Sequence, residues 1–161
     1  MDESRFWTII QGAWASVGGY QATRRQLAQG ISDDEAVREL EGALDEVMRA
    51  LEAALELLDA PELLTFDRIL ERKLYDIDRA EVHEATDGSD DGFLYARGFI
   101  VALGQEFYEA VNANPSKALM DFDCEAMCYP SRWLYEQKFG EMPASGISRE
   151  SVSNQAGWAE A

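Results

Sequence analysis

An apolar repeat with helical spacing, between residues 32 and 58, most constrains the fold of this chain. Ser32 and Glu35 at its start match a capping box, in which each side chain accepts a hydrogen bond from the other's backbone N–H. The repeat recurs every three or four residues, which is the period of one helix face; its members are Ala36, Leu40, Ala43, Leu44, Val47, Leu51, Ala54, Leu55 and Leu58. The segment predicts one long amphipathic helix over about 32–58.

The same region carries more than half of the net charge of the chain. Residues 32–62 hold eleven acidic residues and two arginines, a net charge of −9, and all 161 residues together have a formal net charge of −17. A strongly acidic surface attracts basic proteins, and it disfavours direct binding to nucleic-acid phosphates or to anionic lipid. We expect a basic partner to bind the acids outside the apolar stripe, which are Glu41, Asp45, Glu52 and Glu56. The alternative is that the charge only keeps the protein soluble or reflects a high-salt cytoplasm.

Helical spacing of apolar residues also predicts elements on both sides of this segment. One helix ends at Gly18-Gly19, and another begins near Pro61. A third, over about 89–112, is apolar nearly all round, which is typical of a helix buried in the centre of its domain. A last helix covers about 123–139, where Pro130 must kink or split it.

These elements predict an all-α fold, because no alternating run typical of a β-sheet occurs. We expect a compact single domain of about five to six helices over residues 1–142. Residues 143–161 are rich in Pro, Ala, Ser, Gly, Asn and Gln, and we interpret them as a flexible polar tail. Trp7, Trp14 and Trp133 fall on helix faces and are interpreted as core residues, whereas Trp158 in the tail either anchors a partner or stays unpaired.

The chain has no sequence signal for export or for a membrane. Its acidic N-terminus lacks the basic start and apolar run of a signal peptide, and no apolar run is long enough to span a bilayer. Cys124 and Cys128 are too few for a secreted disulfide framework and do not have the spacing of a zinc site. We therefore expect a cytoplasmic protein with two core cysteines, no metal and no cofactor.

A central block of the sequence is similar to a known family. Residues 88–104 combine a Ser-Asp-Asp-Gly-Phe turn with the run Arg-Gly-Phe-Ile-Val-Ala-Leu-Gly. This block resembles the bacterial domain-of-unknown-function family 4240. Shorter matches, from Arg5-Phe6-Trp7 to Phe139-Gly140, extend the resemblance over residues 1 to about 142. Ala96 and Phe99 stand where that family usually has an aromatic residue and a tryptophan. The resemblance implies a helical domain and no established activity.

The turn in this block also offers the main candidates for a ligand pocket. Arg97 follows Asp90 and Asp91 by about two helical turns, and His83 is the only histidine. A buried Arg97 needs a carboxylate, and we favour an internal pair with Asp90, Asp91 or Asp67 over an external anionic ligand. We expect His83 to be solvated on an acidic helix rather than to act as a general base.

A calcium loop is a weaker interpretation of the same turn. Oxygen-bearing side chains and a glycine fall at the right positions after Asp87, but Gly98 stands where the closing bidentate acid belongs. A helix cap made by Ser89 explains the pattern better.

Two functions follow from these observations. The leading hypothesis is a non-enzymatic binding or regulatory protein that engages a basic partner through the acidic helix face, as immunity proteins, antitoxins and inhibitors of basic proteins do. The alternative is a small enzyme, or a domain that binds an anionic ligand or a metal, with its pocket around the Ser-Asp-Asp turn and Arg97. No catalytic residue is assigned.

Overall fold

Helices account for most of the chain in a computed structural model that describes residues 1–18, 20–86 and 92–159. No strand occurs among these residues, so the all-α prediction is confirmed. The helices are α1 Glu3–Val17, α2 Gln21–Ala28, α3 Asp34–Glu56, α4 Ala60–Asp76, α5 Ala80–Thr86, α6 Phe93–Ala102, α7 Gln105–Ala113, α8 Pro130–Phe139 and α9 Gln155–Trp158. Two 3₁₀ turns, Pro115–Lys117 and Glu125–Met127, lie between α7 and α8.

The long amphipathic helix predicted from the sequence is α3. Its buried stripe packs mainly against α1, and its other side faces solvent. The predicted capping box is wrong, because the carboxylate of Asp33, and not Ser32, accepts the backbone N–H groups of Glu35 and Ala36 at 3.1 and 3.0 Å. A capping box does begin α4, where Asp59 and Glu62 bond reciprocally.

The buried central helix is α6, but it is shorter than the sequence predicts. Nine of its ten residues are buried. The expected continuous helix over 89–112 is wrong, because the chain turns at Gly104 and α7 starts in a new direction. Gly104 has a φ of +95°, a conformation that residues with a Cβ rarely adopt. The apolar pattern continues on both sides of this turn, and so the pattern alone does not reveal it.

The region predicted as a last helix over 123–139 is split at Pro130, one of the two expected outcomes. Pro130 occupies the first position of α8, where its missing N–H costs nothing. The preceding 3₁₀ turn packs against α6 at Gly98. A Cβ at Gly98 would lie 2.5 Å from the carbonyl oxygen of Cys124 and 2.9 Å from the sulfur of Cys128, so glycine is required for this close approach.

Residues 143–159, the described part of the predicted tail, lie against the helical domain. Arg149 is buried and pairs with Asp67 and Glu71 of α4. A third buried carboxylate, that of Asp78 after α4, accepts hydrogen bonds from the backbone N–H groups of Val152 and Asn154 and from the Trp158 indole, at 3.0, 2.8 and 3.1 Å. This segment, which we call the C-terminal segment, therefore supplies partners for three buried carboxylates. Its predicted mobility and the boundary at residue 142 stay predictions.

Candidate functional site

The four predicted partner-binding acids lie on one exposed face of α3. Glu41, Asp45, Glu52 and Glu56 are all exposed, and their spacing places them within a narrow sector of the helix. Among the described residues, the carboxylate of none of the four lies within 4.0 Å of a cationic group. Two cations contact the backbone of these residues instead: Arg49 donates from Nε to the carbonyl oxygen of Asp45 at 3.3 Å, and Lys138 of α8 donates to that of Glu56 at 2.8 Å. The four carboxylates are therefore in no ion pair within the described chain.

A groove runs between this acidic face and α8. Its volume is about 390 Å³. Two of the four acids, Asp45 and Glu52, form one wall, and Trp133 of α8 forms part of the other. The remaining lining is mixed apolar and polar, consisting of Met48, Arg49, Ala126, Pro130, Leu134 and Gln137. We call this surface the α3–α8 groove.

Trp133 is the residue that sequence reasoning placed wrongly. We expected it in the core, but 52% of its surface is exposed. Its ring stacks on Tyr129 with the centroids 6.2 Å apart. The sequence held one signal for this: Trp133 is followed by the polar Glu136 and Gln137, one turn further along the same helix. An exposed indole beside exposed carboxylates makes the groove the strongest candidate for a binding surface.

Arg97 lies in the interior of the protein and is enclosed by its own chain. Its guanidinium donates to the carbonyl oxygen of Leu74 at 2.8 Å and to the hydroxyl of Ser151 at 3.3 Å. The carboxylate of Asp78 lies 4.0 Å away, and the ring of Phe93 lies beneath the guanidinium at 4.7 Å. Burial lowers the pKa of Arg97, and Asp78 acts in the opposite direction.

Of the three predicted internal partners of Arg97, only Asp67 lies in the described part of the chain, and it is not the partner of Arg97. Asp67 pairs with Arg149 instead, and Asp90 and Asp91, together with Asp87 and Ser89, lie outside the described residues. The observed partner Asp78 belongs to a stretch that the sequence analysis assigned no role. The C-terminal segment, through Ser151, closes this environment from outside, so Arg97 faces protein atoms on the sides that the structure describes.

His83 of α5 packs between aromatic rings and is not solvated as the sequence suggests. It is half-buried, with its ring 4.9 Å from Phe93 and 5.4 Å from Trp158. Trp158 is thereby an internal contact of the C-terminal segment, which favours an anchoring role within the chain over one toward a partner. The helix α5 and the segment meet at this aromatic cluster.

The cysteines are core residues, as predicted. Cys124 and Cys128 are both buried free thiols. Burial raises the pKa of each to about 12, so neither is a thiolate nucleophile near neutral pH. Within the described parts of the chain, no group of three or more His, Cys, Asp or Glu side chains has an arrangement suited to a metal ion.

One family model matches most of the chain. Residues 1–137 match the family described as "Protein of unknown function (DUF4240)". The chain belongs to the DUF4240 family. The matched region ends in α8, so it contains the acidic face and nearly all of the α3–α8 groove.

The C-terminal segment lies beyond the region matched to DUF4240. The buried acids Asp67, Glu71 and Asp78 are inside the match, whereas their partners Arg149, Val152 and Asn154 are outside it. No curated protein and no solved structure matched the chain. In the described ranges of this DUF4240 protein, no helix is both long and apolar enough to cross a membrane.

Proposed function

We propose that this protein binds a basic segment of a partner protein in the α3–α8 groove. The observation that carries the proposal is Trp133, a tryptophan that is 52% exposed directly beside Asp45 and Glu52. Tryptophan is enriched among the residues that dominate protein–protein binding energy. Burying it on a partner removes a large apolar surface from water.

The charges around the groove favour a lysine- or arginine-rich occupant. The carboxylates of Glu41, Asp45, Glu52 and Glu56 are in no ion pair within the described chain, so they are available to a basic segment. Complementary charge of this kind accelerates association and selects the partner. The apolar floor, with Met48 and Leu134, suits an aliphatic side chain of the same segment.

The alternative function, a pocket for an anion at Arg97, has less support. Arg97 donates to Leu74 and Ser151 and already has a carboxylate 4.0 Å away, that of Asp78, so an external anion would compete with an internal one. We therefore propose a binding protein and assign no catalytic step.

A designed peptide tests the groove directly. The probe is a fluorescently labelled amphipathic helix with lysines on one face and leucines on the other, and its binding is followed by anisotropy. We expect saturable binding that weakens as salt rises, because salt screens exposed charges. The same peptide with glutamate in place of lysine should not bind. No saturable binding of the lysine peptide would refute the proposal.

Substitutions locate the binding to the groove. We expect two variants each to lower the affinity for the lysine peptide by roughly tenfold: the double variant Asp45→Asn, Glu52→Gln, and the single variant Trp133→Ala. The matched control is Glu81→Gln with Glu84→Gln, which removes the same two charges from exposed positions on α5. If the control weakens binding equally, only the total charge matters. In that case, the acidic residues serve solubility and the proposal fails.

A further inference from the structure

Arg24 stands out because it is a buried arginine without a carboxylate. Three arginines are less than a tenth exposed in the described chain, Arg24, Arg97 and Arg149. Arg149 pairs with Asp67 and Glu71, and Arg97 has Asp78 at 4.0 Å. Among the described residues, no carboxylate lies within 4.0 Å of the Arg24 guanidinium.

The hydrogen bonds of Arg24 leave part of its guanidinium unused. Nη1 donates to the carbonyl oxygen of Leu103 at 2.9 Å, and Nη2 donates to the side-chain oxygen of Gln11 at 2.8 Å. The Nε is buried and has no hydrogen-bond partner. A guanidinium has five N–H donors, and these two contacts are both to neutral oxygens. The guanidinium also lies over the ring of Trp14, 4.7 Å from its centroid, so its close contacts within the described chain are all with neutral groups.

The same guanidinium lies at the beginning of α7. A Cβ at Gly104, which precedes the first helical residue, would lie 2.9 Å from Nη1 of Arg24. No side chain caps α7, so the N–H groups of its first turn have no acceptor from a cap. A helix N-terminus carries partial positive charge, and a cation beside it is unfavourable unless an anion is also present.

The Arg24 guanidinium and the N-terminus of α7 border one pocket, which has a volume of about 320 Å³. The first three residues of α7, Gln105, Glu106 and Phe107, line it together with Arg24 and Arg25. Glu106 faces the exposed Arg25 at 3.4 Å, and both of these side chains are more than half exposed. Two arginines and one acid therefore line this pocket, in a chain with a net charge of −17. We call it the Arg24 pocket.

We propose that the Arg24 pocket binds a small oxyanion, a phosphate or carboxylate group, between the Arg24 guanidinium and the N-terminus of α7. Guanidinium and free helical N–H groups are both donors that match the oxygens of such anions. The volume accommodates a small metabolite that carries the group. Burial lowers the pKa of Arg24 to about 10, and Glu106 acts in the opposite direction, so the guanidinium stays positively charged near neutral pH.

Inorganic phosphate and acetate are the probes, because they separate the two chemical sources of an oxyanion. We expect at least one of them to raise the thermal unfolding midpoint in a saturable way and to shift the backbone amide signals of Gln105, Glu106 and Phe107 in NMR spectra. Sodium chloride at equal ionic strength should do neither. If neither probe moves these amides at millimolar concentration, the proposal is overturned.

An internal carboxylate provides a sharper test. Gln11 is exposed and already accepts from Arg24, so Gln11→Glu places a carboxylate on the guanidinium with little change of shape. We expect this variant to have a higher unfolding midpoint without added anion and roughly tenfold weaker binding of the probe. The control Gln137→Glu adds the same charge at the α3–α8 groove and should bind the probe normally. If Gln11→Glu binds as tightly as the control variant, Arg24 is not the receptor.

Discussion

The guanidinium of Arg149 donates to the carboxylate of Asp67 at 2.9 Å, and both side chains are almost completely withdrawn from solvent. The two residues are 82 positions apart in the chain. Arg149 also donates to the carbonyl oxygen of Cys128 at 2.5 Å. One side chain of the C-terminal segment thus connects α4 to the turn that precedes α8.

Replacement of Arg149 should lower the free energy of unfolding. Arg149→Met leaves the buried Asp67 and Glu71 with only the partly exposed Arg68 as a cation among the described residues, at 3.8 and 3.4 Å, and the loss of one partner of a buried pair typically costs about 3–5 kcal/mol. We expect a loss of this size in the free energy of unfolding, measured by urea denaturation. The control Arg132→Met removes an exposed i, i+4 pair with Glu136 and should change stability by less than about 1 kcal/mol. Equal losses in the two variants would contradict the buried-pair interpretation.

Removal of the C-terminal segment tests the domain boundary predicted at residue 142. A chain that stops after Met142 lacks the partners of Asp67, Glu71 and Asp78, so we expect it to unfold at lower urea concentration than Arg149→Met. Amide hydrogen exchange in α4 and α6 should also accelerate. An unchanged unfolding midpoint would show instead that the segment is the independent polar tail expected from its composition.

Two glycines in helices should respond in opposite ways to alanine. Gly98→Ala places a methyl group against the Cys124 carbonyl and the Cys128 sulfur, and we expect a loss of about 1–3 kcal/mol from overpacking. Gly42 in α3 has open space around it, so Gly42→Ala should gain about 0.5–1 kcal/mol because alanine loses less backbone entropy. Urea denaturation of both variants checks the signs. A stabilising Gly98→Ala would mean that the turn at 124–128 can move away from α6.

The buried thiols should make stability fall in alkaline solution. Burial raises the pKa of Cys124 and of Cys128 from the ordinary value of 9.0 to about 12. The unfolded chain therefore loses these protons near pH 9 while the folded chain keeps them, so their contribution is complete below pH 9 and is lost as pH rises toward 12. The slope of unfolding free energy against pH over this window should be smaller in the variant Cys124→Ala, Cys128→Ala. An unchanged slope would show that the thiols do not contribute.

Local patterns in the sequence predicted the helices, and non-local contacts account for most of what the patterns missed. The stripe of α3 repeats over many turns, so its existence and buried side follow from spacing alone. The turn at Gly104 is hidden because apolar residues continue through it. Asp78 and Arg149 are charged residues in unremarkable surroundings, and only the folded chain brings their partners to them.

The candidate site was predictable in part for the same reason. Charge counting finds the acids of α3, since exposed positions follow from the apolar stripe. The groove requires α8 to pack beside α3, which no spacing in either helix specifies. The apolar pattern of α8 is weak, so it does not show whether Trp133 is buried. The packing of α8 beside α3 decides the exposure of Trp133. The role of Arg24 likewise depends on α2 meeting the start of α7.

The position of the C-terminal segment in the chain has a consequence during protein synthesis. The buried acids Asp67, Glu71 and Asp78 are translated about 80 residues before Arg149, Val152 and Asn154. The usual rate of synthesis is about 5–20 residues per second. Until those later residues leave the ribosome, Asp67, Glu71 and Asp78 lack these partners and cannot be buried at low cost. We therefore expect the newly made helices to stay hydrated and loosely packed for several seconds, until the C-terminal segment has been synthesised.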